Sequence, residues 1–170
     1  EDIAIEWIST SNKPDKERYE IEYNNGKKSY KNNLERKIIK EKLLELDEKL
    51  KEKTKVAVIT AYIPQKYILS TMVKQLSFEN LIVEVDTVDA FQGSQKDIII
   101  YSTVRSSANP YKIGFLKSEA RLNVAFSRAR CLLIIVGDLK FLDNDKIRPK
   151  KFFEIVEYIR NHDHCRIVEY

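Results

Sequence analysis

The sequence predicts an α/β domain of three layers, with helices on both faces of a mostly parallel sheet. Three observations carry that expectation. Short apolar runs such as Ile98 to Ile100 and Cys131 to Val136 show no polar alternation, as suits strands covered on both faces. Stretches with apolar residues at helical spacing alternate with such runs, the pattern of βαβ units wound into a parallel sheet. At 170 residues and 43% hydrophobic, the chain suits one globular domain, residues 1–170, with a sizeable core.

The elements follow in order. Ile3 to Ile8 reads as a strand. The Asn- and Lys-rich segment after it, through Tyr30, holds either a second short strand around Tyr19 to Tyr23 or a mobile loop. Leu34 to Leu50 is expected to be a helix, because Ile39, Leu43, Leu46 and Leu50 recur at helical spacing while lysines and glutamates cover the other faces. Val56 to Ala61 is a strand, followed by a helix from Pro64 to Leu76 with the proline in its first turn. Leu81 to Val88 and Asp97 to Val104 are the next strands.

The stretch E-A-R-L-N-V-A-F-S-R-A-R, Glu119 to Arg130, reads as a helix. Leu122, Ala125, Phe126 and Ala129 fall at i, i+3, i+4 and i+7 and form one core-facing stripe. On that helix Arg121 and Arg128 project from nearly the same side, separated by about 10 Å along the axis. Two such guanidinium groups, always charged, planar and rich in donors, suit a polyphosphate. Cys131 to Val136 follows as a strand, then a helix over Phe152 to Arg160 and a last strand over Arg166 to Glu169.

Composition narrows the function classes. The formal charge of +4 permits an anionic partner without demanding one, because both signs of charge are abundant. No apolar run is long enough to cross a membrane and the start shows no signal-peptide pattern, so a cytoplasmic protein without a membrane partner is expected. Cys131 and Cys165 are isolated and read as reduced thiols. His162, Asp163, His164 and Cys165 sit together without a second ligand cluster, so no metal site is expected there. The Lys146 to Lys151 cluster reads as a solvated face.

The unusual residues follow the strands: Thr60 to Gln65 (T-A-Y-I-P-Q), Asp86 to Asp97 (D-T-V-D-A-F-Q-G-S-Q-K-D) and Ser102 to Ser106 (S-T-V-R-S). They are expected along one edge of the sheet, where open α/β sheets bind their ligands. Gly93 permits a close backbone approach that a side chain would block.

V-D-A-F-Q-G (Val88 to Gly93), V-R-S (Val104 to Ser106) and R-L-N-V-A-F-S-R-A-R (Arg121 to Arg130) resemble motifs V, Va and VI of superfamily 1 helicases, in the branch of the RNA-surveillance helicase. T-A-Y-I-P-Q is similar to motif IV, and S-Y-K-N-N-L-E (Ser29 to Glu35) to the family's S-x-x-N-x-x-E segment. The resemblance implies a RecA-like, P-loop NTPase-type fold: the second motor domain of a two-domain helicase, with ATP and Mg²⁺ bound against an N-terminal P-loop domain. It implies Arg128 as the arginine that contacts the γ-phosphate, with Arg121 supporting that geometry or binding phosphate itself. Gly93 and Gln95 then lie at the nucleotide. Gln95 departs from the family's glutamate, which accepts hydrogen bonds from the ribose. Single-stranded DNA or RNA is the implied track, with Thr60, Thr87, Ser102 and Asn123 on its phosphates or sugars and Arg105 binding it or coupling it to the nucleotide. Thr60 and Ser102 equally suit caps of helices or turns, and Tyr62 equally suits packing on a neighbouring helix.

No G-x-x-x-x-G-K-[ST] occurs in the 170 residues, so the chain alone is expected not to hydrolyse ATP and to hold Mg²⁺ only with a partner domain. The expectation is a piece of a longer helicase or a subunit completing another's site. The alternative is a helicase-derived module that binds nucleic acid or protein without hydrolysis. An unrelated nucleotide- or flavin-binding α/β domain is disfavoured by the lack of a glycine-rich first turn.

Overall fold

The structure, a computed structural model, describes residues 3–91, 94–147 and 150–170. The chain opens with β1 (Ile5–Ser9), a short helix α1 (Asp15–Arg18) and a hairpin of β2 (Ile21–Asn24) and β3 (Lys28–Lys31). Helix α2 (Asn33–Lys49), β4 (Thr54–Thr60), α3 (Ile63–Lys74), β5 (Leu81–Thr87) and β6 (Lys96–Ser102) follow. A 3₁₀ turn (Gly114–Lys117), α4 (Glu119–Phe126), β7 (Ala129–Gly137), α5 (Leu139–Leu142), α6 (Lys151–Arg160) and β8 (Cys165–Glu169) complete the order.

Six strands form one sheet in the order β5-β4-β6-β7-β1-β8, and every neighbouring pair is parallel. Its central strands are covered on both faces. Ile99, Ile135, Trp7 and Tyr101 pack with Leu122 of α4 and with Phe152, Val156 and Ile159 of α6. Ile100, Ile134 and Val58 pack with Ile39 and Leu43 of α2 and Leu69 of α3 on the other side. This is the three-layer arrangement that the unalternated apolar runs predict. Each fully buried aliphatic side chain contributes about 1.5–3 kcal/mol, which is why the middle of the sheet is its most apolar part.

Two expectations need correction. The short strand expected around Tyr19 to Tyr23 is β2, but it is preceded by an unexpected short helix and paired with an unexpected strand, β3, from Ile21↔Lys31 to Asn24↔Lys28. The helix bearing Arg121 stops at Phe126, with Ser127 as its C-cap. Ala129 does pack toward the core, but from the first position of β7, where it pairs with Lys96. The helical spacing of the stripe was therefore fortuitous at its last member: strand pairing claims Ala129, and Arg128 lies in the turn between the two elements.

Parallel pairing has a second consequence. Each connection must return from the carboxyl end of one strand to the amino end of the next. In the segment after β5, Val88 and Phe91 are buried in the core and the Val88 N–H donates to the Thr60 carbonyl (2.9 Å). Residues 103–128 make the return after β6, with α4, about 12 Å long, on that path.

Candidate functional site

At the carboxyl ends of β4 and β6 the motif residues form a closed polar network. Asn32 caps α2 by accepting the Glu35 N–H (3.1 Å), and its Nδ2 donates to the carbonyls of Arg18 (2.9 Å) and Val104 (3.1 Å). Gln65, on the first turn of α3, accepts the Asn32 N–H (2.8 Å) and donates to the Asn32 carbonyl (3.1 Å) and to Ser102 Oγ (3.0 Å). Glu35 has no exposed surface. It accepts from Ser102 Oγ (2.6 Å), Thr103 Oγ1 (3.1 Å) and the Val104 N–H (2.9 Å). Burial pushes its carboxyl up to about 7, against the pull of these three donors, and the nearby Asp138 charge raises it further.

That network holds a strained turn. Val104 has φ 66°, a left-handed conformation that costs a β-branched residue about 1–3 kcal/mol. Close packing continues around it: a Cβ at Gly137 would collide with the Thr103 side chain. Arg105 follows the strained residue and is buried. Its guanidinium carbon lies 4.0 Å from the Tyr30 ring centre, Nη1 donates to Tyr62 Oη (3.3 Å) and Nη2 pairs with Glu20 (3.3 Å). Burial raises the Glu20 carboxyl, opposed by the Ser106 N–H and by Arg105. Gly114, at φ +54°, faces this cluster, and a Cβ there would collide with Arg105 Nη1 and approach Tyr62 Oη to 2.7 Å.

The geometry separates residues that sequence reasoning placed on one edge. Thr60 and Ser102 are fully buried and offer no hydroxyl to a ligand: Thr60 Oγ1 accepts the Tyr62 N–H (3.4 Å), and Ser102 belongs to the Glu35 network. Tyr62 is likewise a packed residue, between Tyr30 and Phe115. Thr87 is half-buried and Asn123 exposed. Arg121 turns toward the carboxyl end of β5, where its Nε donates to Asp89 (2.8 Å) and its guanidinium lies over Phe115 (5.2 Å). Arg128 is at the opposite end of the sheet. Its carbonyl accepts the N–H of Lys96, which opens β6, so Arg128 and the exposed Gln95 sit on adjoining backbone at the strand starts. Arg128 Nε, like the Nε atoms of Arg18 and Arg105, is buried and has no partner among the described residues. A buried guanidinium N–H left unpaired is what a phosphate oxygen would satisfy. Gly93 and part of the Lys146 to Lys151 cluster lie outside the described residues.

Comparison with known proteins agrees with this arrangement of motifs. A family described as "AAA domain" matches residues 4–140. The probable helicase senataxin of Mus musculus is 42% identical over 131 residues, which is 76% of this chain and 5% of that protein. The chain belongs to the superfamily 1 helicases, in the branch of the RNA-surveillance helicase. The regulator of nonsense transcripts 1 homolog of Neurospora crassa is 47% identical over 91 residues, 51% of this chain and 8% of its own length. An ATP-dependent helicase of Methanocaldococcus jannaschii is 41% identical over 108 residues, 63% of this chain and 15% of its own length. The chain thus spans only a small part of each of these relatives. The large terminase of bacteriophage HK97 superposes with a TM-score of 0.53 at 13% identity, over 99% of this chain and 35% of that one, a likeness that shows the fold alone.

Within this helicase domain, sequence reasoning missed the two residues that organise the strand ends. Glu35 and Gln65 stood inside recognised segments without a role. Their signal was present in principle: polar residues in the first turns of two core-packed helices, each one helical step from an apolar stripe. Among the described residues no helix is long and apolar enough to cross a membrane. His162 stacks on Tyr158 (3.8 Å between ring centres).

Proposed function

We propose that this helicase domain is the C-terminal motor domain of an ATP-dependent nucleic-acid helicase. It supplies Arg128 as the arginine finger to a nucleotide held by an N-terminal P-loop RecA-like domain, and it carries part of the track for single-stranded DNA or RNA. The observation that supports this best is that Arg128 and Gln95 sit on adjoining backbone at the strand starts, where the Arg128 carbonyl accepts the Lys96 N–H. Gln95 accepts from the ribose through its amide oxygen, a weaker bond than a carboxylate's. Arg128 stabilises charge on the transferring phosphoryl group, and because it comes from across a cleft, hydrolysis depends on closure. Mg²⁺ would be held mainly by the partner domain.

The strand side of the reading changes with the geometry. Arg121, directed to the carboxyl ends of the strands, belongs with Thr87 and Asn123 as a candidate strand contact. Arg105, Thr60 and Ser102 act beneath that surface as positioning residues. In the full gene product, Arg128→Ala should lower strand-stimulated ATP turnover by about 10³-fold or more while leaving the thermal melt in place. Turnover at the native rate would remove Arg128 from the nucleotide site.

A further inference from the structure

The turn after β6 is gripped from the start of α2. The Arg105 N–H closes on the Thr103 carbonyl (2.7 Å), which makes a three-residue γ-turn with Val104 at its centre. At φ 66° this is the rare, strained form of that turn. Both polar backbone groups of Val104 go to α2: its N–H to Glu35 (2.9 Å) and its carbonyl to Asn32 Nδ2 (3.1 Å). The next residue, Arg105, fastens the β2–β3 hairpin through Tyr30 and Glu20. The first turn of one helix thus sets a strained turn, and that turn sets the arginine.

Within this chain of contacts a single proton can undo the part played by Glu35. Its donors are committed. Gln65 Nε2 donates to Ser102 Oγ (3.0 Å), which leaves the Ser102 hydrogen for Glu35 (2.6 Å). Thr103 Oγ1 supplies a second hydrogen and the Val104 N–H a third. A carboxylate accepts all three, strengthened by its charge. A carboxylic acid accepts more weakly and must also donate. Ser102 Oγ already accepts from Gln65, so the proton falls to Thr103 Oγ1, whose own hydrogen must then turn away. The wall there is tight enough that a Cβ at Gly137 would collide with Thr103 Oγ1.

The surrounding charges leave that proton in play. Asp138, at the end of β7, bears on Glu35 but is itself bound by Arg18 (2.6 Å) and by the hydroxyls of Ser11 (2.8 Å) and Ser106 (2.6 Å). Glu20 is paired with Arg105, Tyr101 of β6 is kept protonated by burial, and α3 presents the neutral amide of Gln65. Among the described residues no cation pairs with Glu35, and its carboxyl, at about 7, exchanges its proton near neutrality.

We propose that Glu35 is a proton-operated positioning residue: as the carboxylate it holds the Val104 turn and, through Arg105, the β2–β3 hairpin, and on protonation it lets the turn relax and the hairpin loosen. A carboxylate that loses the Val104 N–H takes up a proton more readily, so the locked hairpin and the ionised Glu35 support each other. Raising the pH through this window therefore tightens the hairpin, although it weakens the fold as a whole, because the unfolded chain ionises near 4.5. A carboxyl with a structural role alone would move both in the same direction. The bearing on catalysis rests on the helicase reading; the effect on the hairpin does not.

The test is hydrogen exchange in the full gene product at about pH 6 and about pH 8, corrected for the intrinsic pH dependence of exchange. Amides of residues 21–31 should exchange at least about five-fold more slowly at the higher pH, while those of β4, β6 and β7 exchange no more slowly. Glu35→Gln, which cannot ionise, should show a loosened hairpin at both values. Val104→Gly, which adopts a positive φ without strain, should keep the hairpin protected at both. Strand-stimulated ATP turnover should rise through the same window in the native protein and not in Glu35→Gln, and a native profile without that rise would overturn the bearing on catalysis. Equal corrected hairpin rates at the two pH values, or a step that survives in Glu35→Gln, would overturn the switch itself. If Glu35→Gln does not fold, a step in Val104→Gly as large as the native one overturns it instead. None of these outcomes touches the helicase reading, which ATP turnover in Arg128→Ala tests separately.

Discussion

Glu35 shows how much a single buried carboxyl can govern. Three donors converge on it from the end of β6, and one of them is the N–H of a residue held at a strained φ. Its carboxyl sits at about 7 against an ordinary 4.5, so in that interval the folded protein keeps a proton that the unfolded chain has released. Stability should then fall as pH rises through this window, by up to roughly 3 kcal/mol, and level off above it. Glu35→Gln imitates the protonated acid: its oxygen accepts from Ser102 and Val104, and its amide donates to Thr103. The variant should lose that part of the slope, which urea midpoints on either side of the window will show; an unchanged slope would mean that Glu35 stays ionised when folded. Gln95 is the other residue whose chemistry is exposed to test. Gln95→Glu should keep ATP turnover or raise it, with a lower KM for ATP, because a charged acceptor strengthens a bond to a ribose hydroxyl. A severe loss would place Gln95 away from the ribose.

Among the elements, the β2–β3 hairpin depends most on tertiary support. Its four-residue strands are largely exposed, and a two-stranded ribbon is at best marginally stable on its own. Arg105 supplies the support by stacking on Tyr30 of β3 and pairing with Glu20 at the hairpin's start. Arg105→Ala should release the hairpin before the sheet, leaving Glu20 buried without its cation. Hydrogen exchange should accelerate at residues 21–31 while β4, β6 and β7 stay protected; uniform acceleration would instead make Arg105 a general core residue. Helix α4 teaches the limit of periodicity. Leu122 and Ala125 are buried as their spacing predicts, yet the helix ends before Arg128 because Ala129 pairs with Lys96. A strand partner distant in sequence leaves no trace in local spacing, so the two arginines could not be separated from sequence.

For the whole molecule, the alternation of unpatterned apolar runs and helical stripes was enough to expect a three-layer parallel sheet, because covering both faces dictates strand composition directly. The site was legible only as a set of motifs. Residue types at Thr60, Ser102 and Arg105 suit an exposed ligand surface and a buried network equally well, and only packing decides between them. Of the hairpin only the strand near Tyr19 to Tyr23 was legible; its partner β3 was hidden for a related reason, because it is polar and short and is held by Arg105, many residues away. At this scale the expectation for chemistry is firm in direction. The isolated 170-residue chain, which contains no G-x-x-x-x-G-K-[ST], should show no ATP turnover with or without single-stranded DNA or RNA, whereas the full gene product should show turnover that a strand stimulates. Turnover by the isolated chain would mean that it holds a phosphate-binding site of another kind.

The place of β1 bears on how the molecule is made. Ile5 pairs with Leu133 on one side and with Cys165 on the other, so both neighbours of the first strand lie in the last quarter of the chain. During synthesis Trp7 and Ile8 leave the ribosome before residues 129–169, which hold both strands that flank them in the folded sheet. The first strand of this domain is thus among the last to be seated. Two-sided parallel pairing over such separations carries a high loop-closure cost, and a chain paused before β7 presents an apolar segment with nowhere to go.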